Sequence, residues 1–169
     1  AELARTESLQ QGLRALAPVP DAAVDGWAEV QSRLAAARAK RSLAARVRSE
    51  MHLLVHALAQ RDWEGAAERV ATDAADLWDA GRLEAALAPF FAEHAALLDT
   101  PEARRHEWTQ IRPIGERQWE VQQTLLDPAG DNLWGIRARV DLRRATKVDH
   151  PLLALTAIGS ALGQPAGWR

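Results

Sequence analysis

The stretch Trp119-Glu-Val-Gln-Gln-Thr-Leu-Leu-Asp-Pro-Ala-Gly-Asp-Asn-Leu-Trp-Gly-Ile-Arg-Ala-Arg-Val-Asp-Leu142 decides the fold. Trp119, Val121, Gln123 and Leu125 alternate with Glu120, Gln122 and Thr124, the period of two that a half-buried strand requires. Asp127-Pro-Ala-Gly-Asp131 is a cluster of turn formers of the kind that joins hairpin strands. Beyond it Trp134, Ile136, Ala138, Val140 and Leu142 face one way, and Arg137, Arg139 and Asp141 the other. Upstream, Trp108, Gln110, Arg112 and Ile114 alternate with Thr109 and Ile111, which predicts a preceding strand. Downstream, Leu152 to Ile158 follows Pro151 as a last strand. Four strands in sequence with short connections predict an antiparallel meander.

Everything before Pro101 reads as helix. Leu3, Leu9, Leu13 and Leu16 fit a first helix closed by Pro18 and Pro20, and Asp21 caps a second stretch through Trp27, Val30 and Leu34. Leu43, Val47, Met51, Leu54, Val55 and Leu58 recur at spacings of three and four, the strongest helical stripe in the chain. A helix after Asp62 turns Trp63, Ala67 and Val70 inward. Another, from about Gly81, carries Leu83, Leu87, Phe90, Phe91 and Leu97–Leu98, with Pro89 expected to kink or split it. Three to four helices packed on a four-stranded antiparallel meander make an α+β domain, since one sheet face rich in Trp and aliphatics must be covered. The order resembles the cystatin-like cone-shaped roll of the nuclear-transport-factor-two superfamily, a fold that hosts enzymes and adaptors alike. The predicted organisation is a helical connection or N-terminal extension over 1–42, the roll over 43–162 and a loose tail over 163–169.

The 169 residues carry 21 basic and 23 acidic groups, a net charge of -2, so no bulk excess points to nucleic acid. No apolar run reaches the roughly 18 residues needed to span a bilayer, so no membrane partner is expected. With no Cys, disulfides, thiolate nucleophiles and Cys-based zinc sites are excluded together. The opening Ala-Glu-Leu-Ala-Arg has no secretory pattern and no initiator Met; it reads as a piece of a longer, cytoplasmic protein. Charge is unevenly spread. Arg33, Arg38, Lys40, Arg41, Arg46 and Arg48 follow one another with no acid between them, whereas 61–102 is strongly acidic.

No Gly-x-Ser-x-Gly, phosphate loop or dinucleotide Gly pattern occurs. His52 and His56 stand one helical turn apart, but Leu53 occupies the place where a zincin carries Glu, so no metal site is assigned. The pocket-facing positions expected of a roll are Trp119, Val121, Gln123, Leu125, Trp134, Ile136, Ala138 and Val140, none of them an acid or base near neutral pH. Only His94 or His106 could reach such a pocket as a general base. Two basic features could touch phosphates: the run Arg33–Arg48, and Arg137 with Arg139 on one strand face, followed by Arg143, Arg144 and Lys147. Strand parity puts the Arg137 and Arg139 side chains roughly 7 Å apart, close to phosphate spacing. The plainer reading is a solvated face whose arginines pair with Glu120 or Asp141. Of the seven Trp, Trp63, Trp78, Trp119 and Trp134 fall on apolar positions and belong to the core; Trp27, Trp108 and Trp168 are less clearly inward.

Three segments resemble the closing section of bacterial superfamily II helicases of the DEAD/DEAH-box type. They are Arg48-Ser-Glu-Met-His-Leu-Leu-Val-His-Ala-Leu-Ala-Gln-Arg-Asp-Trp-Glu-Gly-Ala-Ala67, Leu83-Glu-Ala-Ala-Leu-Ala-Pro-Phe-Phe-Ala-Glu-His94 and Trp119-Glu-Val-Gln-Gln-Thr-Leu-Leu-Asp-Pro-Ala-Gly-Asp131. In those proteins the motor domains precede a long region of unknown function, and the likeness here covers about residues 45–160. The resemblance implies a parent that is an ATP-dependent RNA or DNA helicase. The ATP-binding loop, the Asp-Glu-Ala-Asp/His box and the arginine finger have no counterpart in this chain, so no catalytic residue and no cofactor carry over.

The expected role is therefore a non-catalytic accessory domain. It would support nucleic-acid binding through Arg137, Arg139, Arg143, Arg144 and Lys147, or pack on the motor domains of the same parent chain. The alternative is a stand-alone roll holding a small apolar ligand, in the manner of an isomerase or dehydratase, with a pocket lined by Trp119, Val121, Gln123, Trp134, Phe90 and Phe91. A second alternative is a structural module that forms a homodimer through the sheet.

Overall fold

The computed structural model of this chain describes residues 21–145 and 150–163, with side chains from Asp25 onward. The helix expected over Leu3–Leu16, and the positions of Lys147 and Trp168, lie outside the described residues. The chain divides into two compact units, 1–41 and 42–169.

Helix α1 runs from Asp21 to Ala59 without a break. Two helical stretches were expected there, yet the sequence joining them, Leu34-Ala-Ala-Ala-Arg-Ala-Lys-Arg41, consists of strong helix formers with no Gly or Pro to end a helix. Within the first unit Trp27, Val30 and Leu34 are exposed, Trp27 by 63 %.

In the second unit α1 supplies the spine of the core. Val47, Met51, Leu54 and Leu58 are fully buried and Val55 nearly so, as their three-and-four spacing requires. After Ala59 the backbone reverses through Arg61, whose φ of 55° is left-handed. Asp62 then caps α2, Trp63–Glu68, by accepting from the Gly65 N–H at 3.0 Å. A Cβ at Gly65 would sit 2.2 Å from Asp62 Oδ2 and would displace the capping carboxylate. Asp79 caps α3, Ala80–Glu93, in the same way through Arg82 N at 2.8 Å. Pro89 lies inside α3 and does not split it. Only the bond to the Ala85 carbonyl is forfeited, and the neighbouring Leu87 and Phe90 are fixed in the core on either side.

Two 3-10 turns, Pro101–Arg104 and His106–Trp108, lead into the sheet. Trp108 therefore ends a turn rather than opening a strand. Strands β1 (Thr109–Pro113), β2 (Gln118–Leu125), β3 (Trp134–Asp141) and β4 (Ala154–Ser160) are all antiparallel in the order β1-β2-β3-β4. The fold is thus α+β, three helices followed by a four-stranded meander. The inner face presents Trp119, Val121, Gln123 and Leu125 of β2 with Trp134, Ile136, Ala138 and Val140 of β3, all buried. All of them except Gln123 form one hydrophobic cluster with α1 and α3. No helix among the described residues is long and apolar enough to cross a membrane.

Two devices hold the ends of β3 and β4. Arg46 and Glu50, one helical turn apart on α1, form a half-buried ion pair at 3.3 Å. Arg46 donates to the carbonyls of Ala145 (3.1 Å) and His150 (3.4 Å), while Glu50 accepts from Leu152 N at 2.9 Å. The basic run of α1 therefore includes one arginine committed to the β3–β4 connection. Glu50→Ala leaves Leu152 N without its acceptor and Arg46 without its carboxylate partner, though its two carbonyl acceptors remain. It is expected to lower unfolding free energy by about 1–3 kcal/mol in urea titration, with Glu50→Gln recovering part of the loss.

The second device follows β4. The chain turns at Ala161, in left-handed geometry at φ 67°, and Leu162–Gly163 cross the outer face of β3 at Gly135. A Cβ on Gly135 would lie 2.4 Å from Leu162 O, and one on Gly163 2.2 Å from Asn132 O. Gly163 donates to Leu133 O at 2.9 Å, so the expected loose tail starting at residue 163 has its first residue tied to the sheet.

Candidate nucleic-acid interface

Because side chains alternate along a strand, the hydrophobic inner face dictates which residues stand outside. The antiparallel register places Gln110, Gln122, Arg137 and Ala157 in one outer row. Arg112, Glu120, Arg139 and Ala154 form the next row. Arg137 and Arg139 thus share the outer face, flanked by Arg112 from a strand that the parity of β1 alone could not dock.

Glu120 is the hinge of this surface. Its largely buried carboxylate accepts from Arg112 at 3.0 Å and lies 4.0 Å from Arg137 Nε. Arg139 stands opposite Glu120 in the register and is exposed. Two guanidinium groups therefore lie within 4.0 Å of one carboxylate, and Arg139 stands across the register from it. The plainer sequence reading, arginines paired with Glu120 or Asp141, describes part of the arrangement: Arg143 Nε lies 3.6 Å from Asp141. Arg144 is exposed beside it.

Arg139 and Arg144 line adjoining concavities that share Ala71, Asp141 and Ala154. The one holding Arg139, about 310 Å³, also carries Gln118, Asp73, Asp76 and Thr156. The one holding Arg144, about 360 Å³, adds Thr72, His150, Pro151 and Leu152. Asp76 is taken up by Arg82 at 2.6 Å, and that hydrogen bond holds its carboxyl below the ordinary carboxylate range. This end of the surface, Arg139 included, is of mixed sign.

The run Arg33–Arg48 is more divided than it looks in sequence. Arg33 pairs with Glu29 at 2.6 Å. Arg46 belongs to the β3–β4 clamp, and Arg48 Nε is shielded from solvent. Arg38, Lys40 and Arg41 stay exposed in the first unit.

The histidines differ in their surroundings. His56 Nδ1 bonds the Asp99 carboxylate, which also lies 3.7 Å from Arg104. Desolvation, reinforced by the charges of Arg104 and Arg48 and opposed by Asp99, lowers the His52 pKa below 6.5. His52 is therefore neutral at physiological pH. No group of three or more metal-ligating side chains occurs among the described residues. His94 packs on Phe90, ring centroids 5.0 Å apart, with Nε2 3.8 Å from both Glu93 and Asp127. His106 is exposed on its 3-10 turn.

The residues considered for a ligand pocket are core. Phe90 meets Trp134 edge-on at 5.7 Å and Phe91 at 5.3 Å, and Phe91 in turn meets Trp63 at 6.2 Å. Trp119 and Val121 are buried in the same cluster. Gln123 is satisfied there, accepting from the Thr109 hydroxyl and donating to Thr124 O at 3.0 Å.

Sequence reasoning missed the strap Ala161–Gly163 that lies on this outer face. Gln122 Nε2 donates to Leu162 O, and the Thr124 hydroxyl donates to Gly163 O at 2.6 Å. The signal was the pair of glycines, Gly135 mid-strand and Gly163 beyond the last strand; a glycine in a strand often marks a close backbone approach.

No curated protein and no solved structure matches the chain. A family described as a domain of unknown function, DUF3516, matches residues 8–158. That match covers the helices, β1 to β3 and most of β4, ending before the strap, and the chain belongs to this DUF3516 family.

Proposed function

We propose that this chain is a non-catalytic accessory domain of a DEAD/DEAH-box type helicase, and that its outer sheet face holds the phosphate backbone of a nucleic acid. The helicase connection rests on the three sequence segments at Arg48–Ala67, Leu83–His94 and Trp119–Asp131. The observation that carries the binding role is that the strand register places Arg112, Arg137 and Arg139 on one outer face, with Arg139 exposed. Guanidinium groups arrayed on a rigid strand keep their spacing, and each can form charge-assisted bonds with a phosphate. Arg143 and Arg144 extend the surface around the end of β3. A backbone-directed surface gives affinity without sequence preference, which suits a domain that serves a motor moving along a strand.

The test is fluorescence anisotropy of labelled single-stranded and duplex RNA and DNA at two salt concentrations, for the wild type and an Arg137→Ala/Arg139→Ala variant. Micromolar, salt-sensitive binding is expected. The double substitution should weaken it about tenfold at low salt and uniformly across sequences. The slope of log K against log salt should fall by about 1.4–1.8, since each lost phosphate contact removes roughly 0.7–0.9. Binding that is unchanged by the double substitution rejects this surface.

A further inference from the structure

From the seating of the strap on the outer face, we propose that Ala161–Gly163 is an intramolecular cover for the nucleic-acid surface, displaced when a single strand binds. The inference rests on the nucleic-acid reading of that face. The strap lies on β2 and β3 at Gln122, Thr124 and Gly135. Gln122 is the direct cross-strand neighbour of Arg137, so the strap ends against the row that contains the first of the two key arginines.

The strap is held almost wholly by polar contacts that a ligand could replace. Two of its carbonyls accept from side chains, Gln122 and Thr124, and one N–H donates to Leu133 O. Leu162 is only half-buried, which gives the strap little apolar anchorage. The row that it meets at Gln122 is incompletely satisfied. Gln110 Oε1, Gln122 Oε1 and Arg137 Nε are all shielded from solvent and lack a hydrogen-bond partner among the described residues. These three atoms belong to one outer row across β1, β2 and β3. A shielded polar atom without a partner raises the free energy of the closed state, and releasing Leu162 O from Gln122 frees that amide for water or a ligand beside Arg137.

A nucleic-acid backbone supplies what the row lacks. Its phosphate oxygens accept from Arg137 Nε, and sugar hydroxyls or base amino groups donate to the two glutamine oxygens. A single strand offers all three groups on one flexible chain, whereas a duplex keeps its base edges turned inward. Displacing the strap therefore favours single strands. Apparent affinity in such a scheme is reduced by the fraction of molecules whose face is uncovered.

The experiment uses two strap variants of the whole chain. Gly163→Ala drives a Cβ against the Asn132 carbonyl, and Thr124→Val removes the hydroxyl that holds Gly163 O while leaving the backbone intact. Amide hydrogen exchange at Gly163 reports strap release, and anisotropy with a labelled single-stranded oligonucleotide reports binding. Release should accelerate exchange of the position-163 amide at least tenfold in Gly163→Ala. Single-strand affinity should rise about tenfold in that variant and about two- to fivefold in Thr124→Val, the second serving if the first does not fold. Faster exchange with unchanged or weaker binding overturns the cover, while a loss of binding in Arg137→Ala/Arg139→Ala still upholds the underlying surface. If neither the wild type nor a strap-released variant binds, both proposals fail. Binding seen only after strap release supports both.

Discussion

Phe90→Ala is expected to lower the unfolding free energy by about 3–5 kcal/mol, the range for an aromatic ring removed from a packed core. Phe90 is fully buried, and its ring is a junction rather than a filler. It touches Trp134 of β3 edge-on, Phe91 of its own helix and the imidazole of His94. One truncation therefore opens a void between α3 and the sheet and removes three ring contacts together. Aromatic pairs contribute about 0.5–1.5 kcal/mol each beyond area burial. Phe90→Leu retains most of the volume and should cost clearly less. Urea titrations of the two variants beside the wild type check this; a Phe90→Ala loss below about 1.5 kcal/mol would show that Phe90 does not join helix to sheet.

The second large effect is expected at Asp127, in the β2–β3 connection. Its side chain is buried and its two oxygens accept from Asp131 N at 3.1 Å and Asn132 N at 2.8 Å. Gly130, at φ 78°, donates to the Asp127 carbonyl and closes the turn. Asn132 is also left-handed at φ 52°, and its side-chain Oδ1 accepts from Asp127 N at 3.3 Å. Burial by itself would raise the Asp127 pKa. The backbone N–H groups of Asn132 and Asp131, together with the nearby His94 and the Gly130 N–H, outweigh it and hold the carboxyl below its ordinary 3.8.

The sign of the pH dependence follows from that depression. The folded state binds the Asp127 proton less readily than the unfolded chain. The stabilisation is present in full well above pH 3.8 and fades as pH falls through the lower, folded-state pKa. Asp127→Ala orphans two backbone donors and is expected to cost about 2–4 kcal/mol near neutrality. Asp127→Asn keeps the shape and one acceptor oxygen, and should cost less while removing the titration. Denaturant unfolding at several values between pH 2 and 6 checks both: the wild type should lose more stability on acidification than Asp127→Asn. Parallel acid limbs in the two proteins would mean that this carboxylate does not govern the acid response.

The helices and the sheet were legible because both are written as periods. Leu43, Val47, Met51, Leu54 and Leu58 recur at the helical interval, and Trp119–Leu125 and Trp134–Leu142 alternate strictly. A period of two leaves a residue no choice of face once its neighbours are buried, so Arg137 and Arg139 could be put together on the outer side from sequence alone. The boundary errors share one cause. Local sequence does not reveal whether a neighbour will hold a marginal segment. Pro89 was expected to disturb α3, but the fixed positions of Leu87 and Phe90 carry the helix past it. Trp27, Val30 and Leu34 form a separate stretch by pattern, yet the alanine-rich joint makes them part of one long helix.

The sequence by itself determined the α+β class, the inner and outer faces of β2 and β3, and the pair of arginines on the outer one. The tertiary structure alone decided what surrounds those arginines. Residues separated along the chain meet there: Arg112 reaches Glu120 across a strand register, and Leu162–Gly163 return to Gln122 and Thr124 some 40 positions after them. It also decided that Arg46, one cation in an apparently uniform run, serves the β3–β4 connection, since its acceptors lie about a hundred residues away. Periodicity is a property of neighbours in sequence, so it fixes which face a side chain takes. Charge compensation and coverage depend on neighbours in space, and those are set only when the strands have found their register.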